Sequence, residues 1–149
     1  MRENIEGALK RATLDHDRRR MNTLRLIKTT IRDRDNAAKG AGGEGVSEDD
    51  VFKILIKMIK QRLESAKSYE LNGREDLVHE ELEEIEIIKS LLPKQLTESE
   101  IQNVCADAIR ETDSHSLRDL GKCMQALKQR YPSQMDFGKA IQIVKQRLQ

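Results

Sequence analysis

Residues 47–92 read SEDDVFKILIKMIKQRLESAKSYELNGREDLVHEELEEIEIIKSLL, and this stretch decides the fold. Ser47 followed by Asp50 predicts a capping box at the start of a helix, and Asn72-Gly73 predicts its end and a tight turn. Apolar residues on both sides of the turn recur at the three- and four-residue spacing of one helix face. We therefore predict a long antiparallel helical hairpin. The expected core residues are Val51, Ile54, Leu55, Met58, Ile59 and Leu63 on one helix, and Leu77, Val78, Leu82, Ile85, Ile88 and Leu92 on the other.

Two more helices are predicted before the hairpin. The same apolar spacing covers residues 2–14, and Asp15 and Asp17 offer caps to a helix near 17–37. The glycine-rich stretch 40–45 interrupts the pattern ahead of the hairpin. The N-terminal part of the chain is therefore expected to contain four helices.

Pro93 predicts a domain boundary, because proline disfavours helix at the residue before it. Three helices are predicted beyond it, with caps at Thr97, Ser116 and Asp136. We thus expect an all-α protein with a four-helix domain over 1–92 and a three-helix bundle over 93–149. The expected core of the bundle is Ile101, Val104, Cys105, Ala108, Ile109, Leu117, Leu120, Met124, Leu127, Tyr131, Phe137, Ala140, Ile141, Val144 and Leu148.

Composition agrees with an all-α fold. The 149 residues include two Phe, two Tyr and no Trp, whereas charged residues make up 36% of the chain. Such a chain is poor in strand formers and rich in helix formers. No apolar run approaches the roughly 18 residues of a membrane span, and the N-terminus lacks the apolar region of a signal peptide. We expect a cytoplasmic protein with no membrane partner.

The net charge of +1 hides two opposed blocks. Residues 1–39 hold eleven bases and six acids, whereas residues 70–90 hold eight acids and two bases. The favoured interpretation is that the blocks pair across a helix interface, and the alternative is a basic face offered to phosphates. The choice between these two interpretations concerns two basic stripes. One consists of Arg18, Arg25, Lys28 and Arg32, and the other of Lys53, Lys57, Lys60 and Lys67.

No catalytic, cofactor or metal site is predicted. Residues 40–45 match the sequence pattern of a dinucleotide-binding glycine motif. That motif follows a strand, however, and here a charged helix precedes the glycines. Cys105 with His115 and Asp119 is a conceivable nucleophilic set. Cys105 falls on the apolar stripe of its helix, however, where cysteine behaves as a small hydrophobe. We therefore expect it to be a core residue.

Several short motifs together resemble the YqeY-like family. They are Thr-Leu-Arg-Leu-Ile-Lys at 23–28, Lys-Gln-Arg at 60–62, Gly-Arg-Glu-Asp-Leu at 73–77, Leu-Leu-Pro-Lys-Gln-Leu at 91–96 and Leu-Gly-Lys-Cys-Met at 120–124. The resemblance spans nearly the whole chain. Residues 93–149 also resemble the tail domain of GatB, a subunit of the glutamine-dependent amidotransferase that corrects misacylated tRNA.

The resemblance implies a four-helix part followed by a three-helix tail, and for the amidotransferase tail it implies contact with tRNA. It also implies a link to carbon–nitrogen ligase activity with glutamine as amido-N-donor. The chain departs from the family pattern at two places where the family usually has glycine. These positions are Asp113, after the fifth helix, and Gln125, in the sixth.

These observations together predict a tRNA-binding accessory protein that is not an enzyme on its own and is associated with an amidotransferase or another protein partner. Gly121, Lys122, Lys128 and Lys139 are the candidate RNA-binding residues, with the lysines meeting phosphates and Gly121 permitting close approach. With so few aromatic residues for base stacking, the expected ligand is helical RNA. The alternative is a helical protein–protein adaptor that does not bind RNA.

Overall fold

The computed structural model describes residues 1–149 and contains seven α-helices, one 3-10 turn and no strands, which confirms the all-α fold class. Backbone contacts divide the chain into two compact units, Met1–Leu92 and Pro93–Gln149. The helices are α1 (Arg2–Leu14), α2 (Arg18–Gly40), α3 (Glu48–Leu71), α4 (Glu75–Lys89), α5 (Glu98–Glu111), α6 (Leu120–Arg130) and α7 (Phe137–Leu148), and the 3-10 turn is Leu117–Asp119.

The helical hairpin of the N-terminal unit is built from α3 and α4, which pack on each other. Its start is a capping box in which the Ser47 hydroxyl accepts from the Asp50 amide at 3.1 Å and the Asp50 carboxylate accepts from the Ser47 amide at 3.2 Å. Gly73 makes the turn with a φ of +70°, a conformation that favours glycine. The core of the unit consists of Ile5, Ala8, Ala12, Leu24, Ile27, Ile31, Val51, Ile54, Leu55, Met58, Ile59, Ile85, Ile87, Ile88 and Leu91.

A polar cluster ties α1 to the far end of α2. The Arg2 guanidinium donates two hydrogen bonds to the Asp35 carboxylate, at 2.8 and 2.9 Å, and a third to the Val46 carbonyl at 2.9 Å. The Val46 amide donates to Asp35 at 2.9 Å. The hydrogen bonds that the Asp35 carboxylate accepts lower its pKa to about 2, and those from Arg2 are the strongest cause. The glycine-rich segment before α3 is therefore anchored at Val46.

The tail unit is a three-helix arrangement with its own core. Thr97 and Glu100 form a capping box at the start of α5, and Asp136 caps α7 by accepting from the Gly138 amide at 3.0 Å. The Leu96 amide donates to the Gln134 carbonyl at 2.8 Å, which joins the segment before α5 to the loop before α7. The core consists of Ile101, Cys105, Ala108, Cys123, Met124, Leu127, Met135, Phe137, Ala140, Val144 and Leu148.

Three expected core residues are exposed instead. Leu63 and Leu82 expose 46% and 45% of their surface, and Leu117 exposes 50%. The main N-terminal core cluster contains no residue between Ile59 and Ile85, and Ala66 is the only buried residue in that stretch. Leu117 lies in the 3-10 turn, and Ser116 begins that turn rather than α6, so Leu117 is outside the α6 stripe.

Candidate nucleic-acid interface

One edge of α6 faces α7. Lys128, near the end of α6, places its Nζ 5.9 Å from the ring centroid of Phe137 at the start of α7, within the range of a cation–π contact. Arg130, two residues further on, forms an ion pair with Glu111 of α5. Two residues correspond to about 200° around a helix, so the two contacts define separate edges of α6.

Gly121, Gln125 and Lys128 follow the α7-facing edge of α6. Their spacing of four and three residues places them in one row, and all three are exposed. Apart from its chain neighbours and the backbone of its own helix, no atom lies within 4 Å of the point where a Cβ of Gly121 would be. The backbone at Gly121 is therefore open to a partner, as the candidate role of this residue requires.

A matching row lies on α7. Lys139 and Arg147 lie on the α5 side of this helix, because Lys139 forms an ion pair with Glu98 and Arg147 donates to Gln102 at 3.1 Å. Gly138, Ile141 and Lys145, spaced by three and four residues, fall on the other edge, which borders α6. We name the combined surface the α6–α7 face. Its residues are Gly121, Gln125, Lys128, Gly138, Ile141 and Lys145.

The α6–α7 face contains two lysines that have no acidic partner. Neither Lys128 nor Lys145 forms an ion pair with a carboxylate. Lys145 is one of the basic residues that outnumber the acids of the tail, but it is not among the four candidate RNA-binding residues predicted from the sequence. Its spacing from Gly138 and Ile141 was visible there, but the edge of α7 on which this row lies becomes known only from the contacts of α5 and α6.

Two of the candidate lysines lie elsewhere and are ion-paired. Lys122 Nζ is 3.6 Å from the Asp119 carboxylate, and Lys139 contacts Glu98 closely enough to lower the pKa of that carboxyl group. Lys122 lies about 100° around α6 from Gly121. The four candidate residues therefore do not form one surface: Gly121 and Lys128 share an edge, whereas Lys122 and Lys139 lie on other edges. Exposed ion pairs of this kind are weak, so a phosphate can displace the carboxylate.

The turn after α5 keeps a shape that favours glycine, although residue 113 is aspartate. Asp113 has a φ of +51°, in the left-handed region that aspartate tolerates better than most residues. Its carboxylate lies 2.7 Å from His115 Nε2, and the Asp119 carboxylate accepts from the His115 amide at 2.9 Å. The replacement of the usual family glycine thus leaves a left-handed residue at the turn.

Cys105 is a core residue, and the conceivable nucleophilic set is not assembled around it. Cys105 is fully buried, and burial is the main cause that raises the pKa of its thiol to about 11. His115 is exposed, and its ring is hydrogen-bonded to the Asp113 carboxylate. The Asp119 carboxylate accepts a hydrogen bond from the His115 backbone amide instead of orienting the ring. Burial also raises the pKa of Cys123. No group of three or more histidine, cysteine, aspartate or glutamate residues is placed to hold a metal ion.

Because the thiolate is the reactive form and the Cys105 pKa is raised, we expect this cysteine to resist alkylation in the folded chain. At about pH 8, its reaction with iodoacetamide should be slower than that of the denatured chain by roughly 100-fold or more. Mass spectrometry of tryptic peptides after timed alkylation measures this ratio, with the denatured chain as control. Rapid labelling of Cys105 in the folded chain would contradict the burial argument.

These features define a small all-α protein with two helical units and basic helix edges. A family model described as "Yqey-like protein" matches residues 2–148, and the chain belongs to the YqeY-like family. The resemblance drawn from the short motifs is thereby confirmed. No helix is both long and apolar enough to cross a membrane.

Curated relatives share one printed name, "Altered inheritance of mitochondria protein 41, mitochondrial". The protein from Saccharomyces cerevisiae is 31% identical over 103 residues, covering 67% of this chain and 54% of the relative. The one from Clavispora lusitaniae is 30% identical over 117 residues, covering 78% and 62%, and the one from Lachancea thermotolerans is 30% identical over 125 residues, covering 80% and 65%. The chain thus spans between about half and two thirds of the length of these relatives.

Proposed function

We propose that this chain is a non-catalytic accessory protein whose tail unit binds tRNA through phosphate contacts. The observation that carries the proposal is the pair of exposed lysines, Lys128 and Lys145, on adjoining edges of α6 and α7 without a carboxylate partner. A cation that has no carboxylate partner gives up no ion pair when it meets a phosphate. Phosphate contacts need only such cations, so no base-reading group is required.

The composition of the α6–α7 face favours helical RNA over single strands. Sequence-tolerant binding of single strands relies on exposed aromatic rings that stack on bases. Phe137, the ring next to this face, is buried in the tail core. Gly121 instead leaves open space at the surface where a backbone can approach, whereas the space beside Gly138 is taken by the Asp136 carboxylate, 3.2 Å from where a Cβ would lie. Lys122 and Lys139 remain candidate contacts, ranked below Lys128 and Lys145 because each already has an acidic partner.

The place of this protein in the cell is a further part of the proposal. The proposal also associates the protein with an amide-transferring enzyme, a carbon–nitrogen ligase that uses glutamine. This association rests on the resemblance of residues 93–149 to the tail of GatB. We keep the cytoplasm as its proposed location, although the printed names of the yeast relatives include the word mitochondrial.

Two double variants with the same loss of charge test the tail surface. We expect Lys128→Ala with Lys145→Ala to weaken tRNA binding roughly tenfold and to reduce the magnitude of the log–log salt slope by up to about 2. The matched control, Lys122→Ala with Lys139→Ala, should have a smaller effect, because its lysines are already paired. Fluorescence anisotropy with labelled tRNA over a range of salt concentrations measures both, and circular dichroism checks that helicity is unchanged.

Three outcomes would change the proposal. If wild type fails to bind tRNA at low salt, the adaptor becomes the better hypothesis. If both double variants bind as wild type does, the tail lysines are not the contacts. If the control pair has the larger effect, Lys122 and Lys139 carry the binding and the α6–α7 face does not.

A further inference from the structure

The acidic helix α4 leaves most of the basic residues of α2 unpaired. Arg19 reaches Glu83 at 3.0 Å and Glu80 at 3.6 Å, and from α3 Arg62 pairs with Glu84 at 3.0 Å. The favoured interpretation of the charge blocks therefore holds for Arg19, whereas Arg62 lies outside the basic block of residues 1–39. Of the four-residue stripe on α2, only Lys28 is ion-paired, and its partner is Glu6 of α1 at 2.9 Å rather than α4.

The unpaired residues form a continuous surface on the solvent side of α2. Arg18, Arg25 and Arg32 lie seven residues apart, which is close to two helical turns, or about 10 Å. Polar uncharged residues at the same seven-residue spacing lie between them. We name this row the α2 outer face, and its residues are Arg18, Asn22, Arg25, Thr29, Arg32 and Asn36, all exposed.

No acid lies within the α2 outer face. Asp33 borders it, whereas Asp17 caps the helix by accepting from the Arg20 amide at 3.2 Å. Asp35 is held by Arg2, and Glu6 by Lys28. None of the three arginines of the face has an ion-pair partner. The positive charge of this face is thus directed to solvent.

The composition of the face disfavours two other kinds of partner, a membrane surface and a protein with an apolar interface. An interfacial membrane helix must insert its apolar side, but the apolar side of α2, with Leu24, Ile27 and Ile31, is buried in the core of the unit. A protein interface usually has apolar or aromatic anchors at its centre. Here the centre is Arg25 between Asn22 and Thr29, and the one exposed apolar neighbour, Leu26, lies at the border.

We propose that the α2 outer face is a second RNA-contacting surface, which lies along the sugar–phosphate backbone of duplex RNA. The planar guanidinium group of arginine donates several hydrogen bonds to phosphate oxygens. Asparagine and threonine side chains hydrogen-bond to phosphates and sugar hydroxyls. The face has no aromatic residue, so it reads backbone shape and not stacked bases. It lies in the N-terminal unit and is independent of the tail lysines.

The test uses the full chain and a labelled RNA duplex of about 20 base pairs, longer than the roughly 16 that a double-stranded RNA domain covers. We expect Arg18→Gln, Arg25→Gln and Arg32→Gln together to weaken binding at least tenfold and to reduce the magnitude of the salt slope by up to about 3. The same three arginines changed to lysine should retain most of the salt slope, because the charge remains.

A matched control removes three unpaired cations elsewhere in the same unit: Arg34→Gln, Lys57→Gln and Lys67→Gln. This control loses the same charge and should retain most of the affinity. Equal weakening by both triple variants would overturn the proposal, because net charge would then explain the effect. Tighter binding of polyglutamate than of the duplex by wild type, lost in the Arg18, Arg25 and Arg32 variant, would overturn the proposal in favour of an acidic polypeptide.

The tail variant separates this proposal from the proposed function. If Lys128→Ala with Lys145→Ala weakens duplex binding and the Arg18, Arg25 and Arg32 variant does not, the α2 proposal fails and the tail proposal stands. If only the α2 variant weakens binding, the tail proposal fails. If wild type does not bind the duplex at low salt, the α2 proposal is overturned.

Discussion

Leu127→Ala is expected to unfold the tail unit in a large fraction of molecules. Leu127 is fully buried on α6, and replacing a buried leucine with alanine costs about 2–5 kcal/mol. A core of this size rarely supplies more than about 3–5 kcal/mol, so the loss is comparable to the whole stability of the unit. Alanine is the best helix former, so the destabilisation reflects lost packing and not lost helix propensity.

Hydrogen exchange of the full chain followed by mass spectrometry measures this effect unit by unit. Peptides from α5, α6 and α7 should lose their slow exchange, whereas peptides from α1 to α4 should keep theirs. Leu117→Ala is the matched control, because Leu117 is half exposed in the same unit and its truncation should cost less than about 0.5 kcal/mol. Unchanged protection of α6 in Leu127→Ala would show that the tail core is more stable than its size suggests.

Three helix starts were well predicted from the sequence because capping depends on a few neighbouring residues, whereas Ser116 begins the 3-10 turn and not α6. The pairs Ser47 with Asp50 and Thr97 with Glu100 both form capping boxes, and α7 begins directly after Asp136. A side chain and the amide it caps are three residues apart or fewer, so the local sequence contains the whole interaction. The same reasoning accounts for the turn at Gly73.

Burial was less predictable, because it depends on which helices pack against a given face. Leu63 and Leu82 satisfy the helix spacing, yet both are nearly half exposed, and Leu82 lines an open groove with Arg19 and Arg20 of α2. Conversely, Ile87 of α4 and Met135 of the loop before α7 are buried although neither was expected in the core. Periodicity identifies one apolar side of a helix, but its width and cover depend on tertiary contacts.

The candidate RNA surface was predicted only in part, because ion pairing, like burial, depends on tertiary contacts. Glu98 and Lys139 are 41 residues apart in sequence, so their ion pair is visible only once α5 and α7 are placed together. Opposite charge on α2 and α4 likewise suggested pairing, yet α2 turns Arg18, Arg25 and Arg32 away from α4. Charge counts reveal that basic and acidic residues are abundant, whereas only geometry decides which of them meet.

Separate expression of residues 1–92 and 93–149 is expected to give two helical proteins. Each core is composed of residues from its own fragment, from Ile5 to Leu91 in one and from Ile101 to Leu148 in the other. A cut before Pro93 breaks no helix, because α4 ends at Lys89 and α5 begins at Glu98. Both fragments should therefore retain their helical circular dichroism, with spectra that add up to that of the full chain.

A cut after Arg110 is the control, because it removes α5 and its core residues Ile101, Cys105 and Ala108 from α6 and α7. The remaining residues 111–149 should be unfolded, since two short helices cannot bury their apolar sides without the third. With about 57 residues, fragment 93–149 is near the lower limit for independent folding, so its unfolding midpoint should be low. Absence of helical circular dichroism in fragment 93–149 would mean that the tail needs the N-terminal unit to fold, and the proposal of two independent domains would then fail.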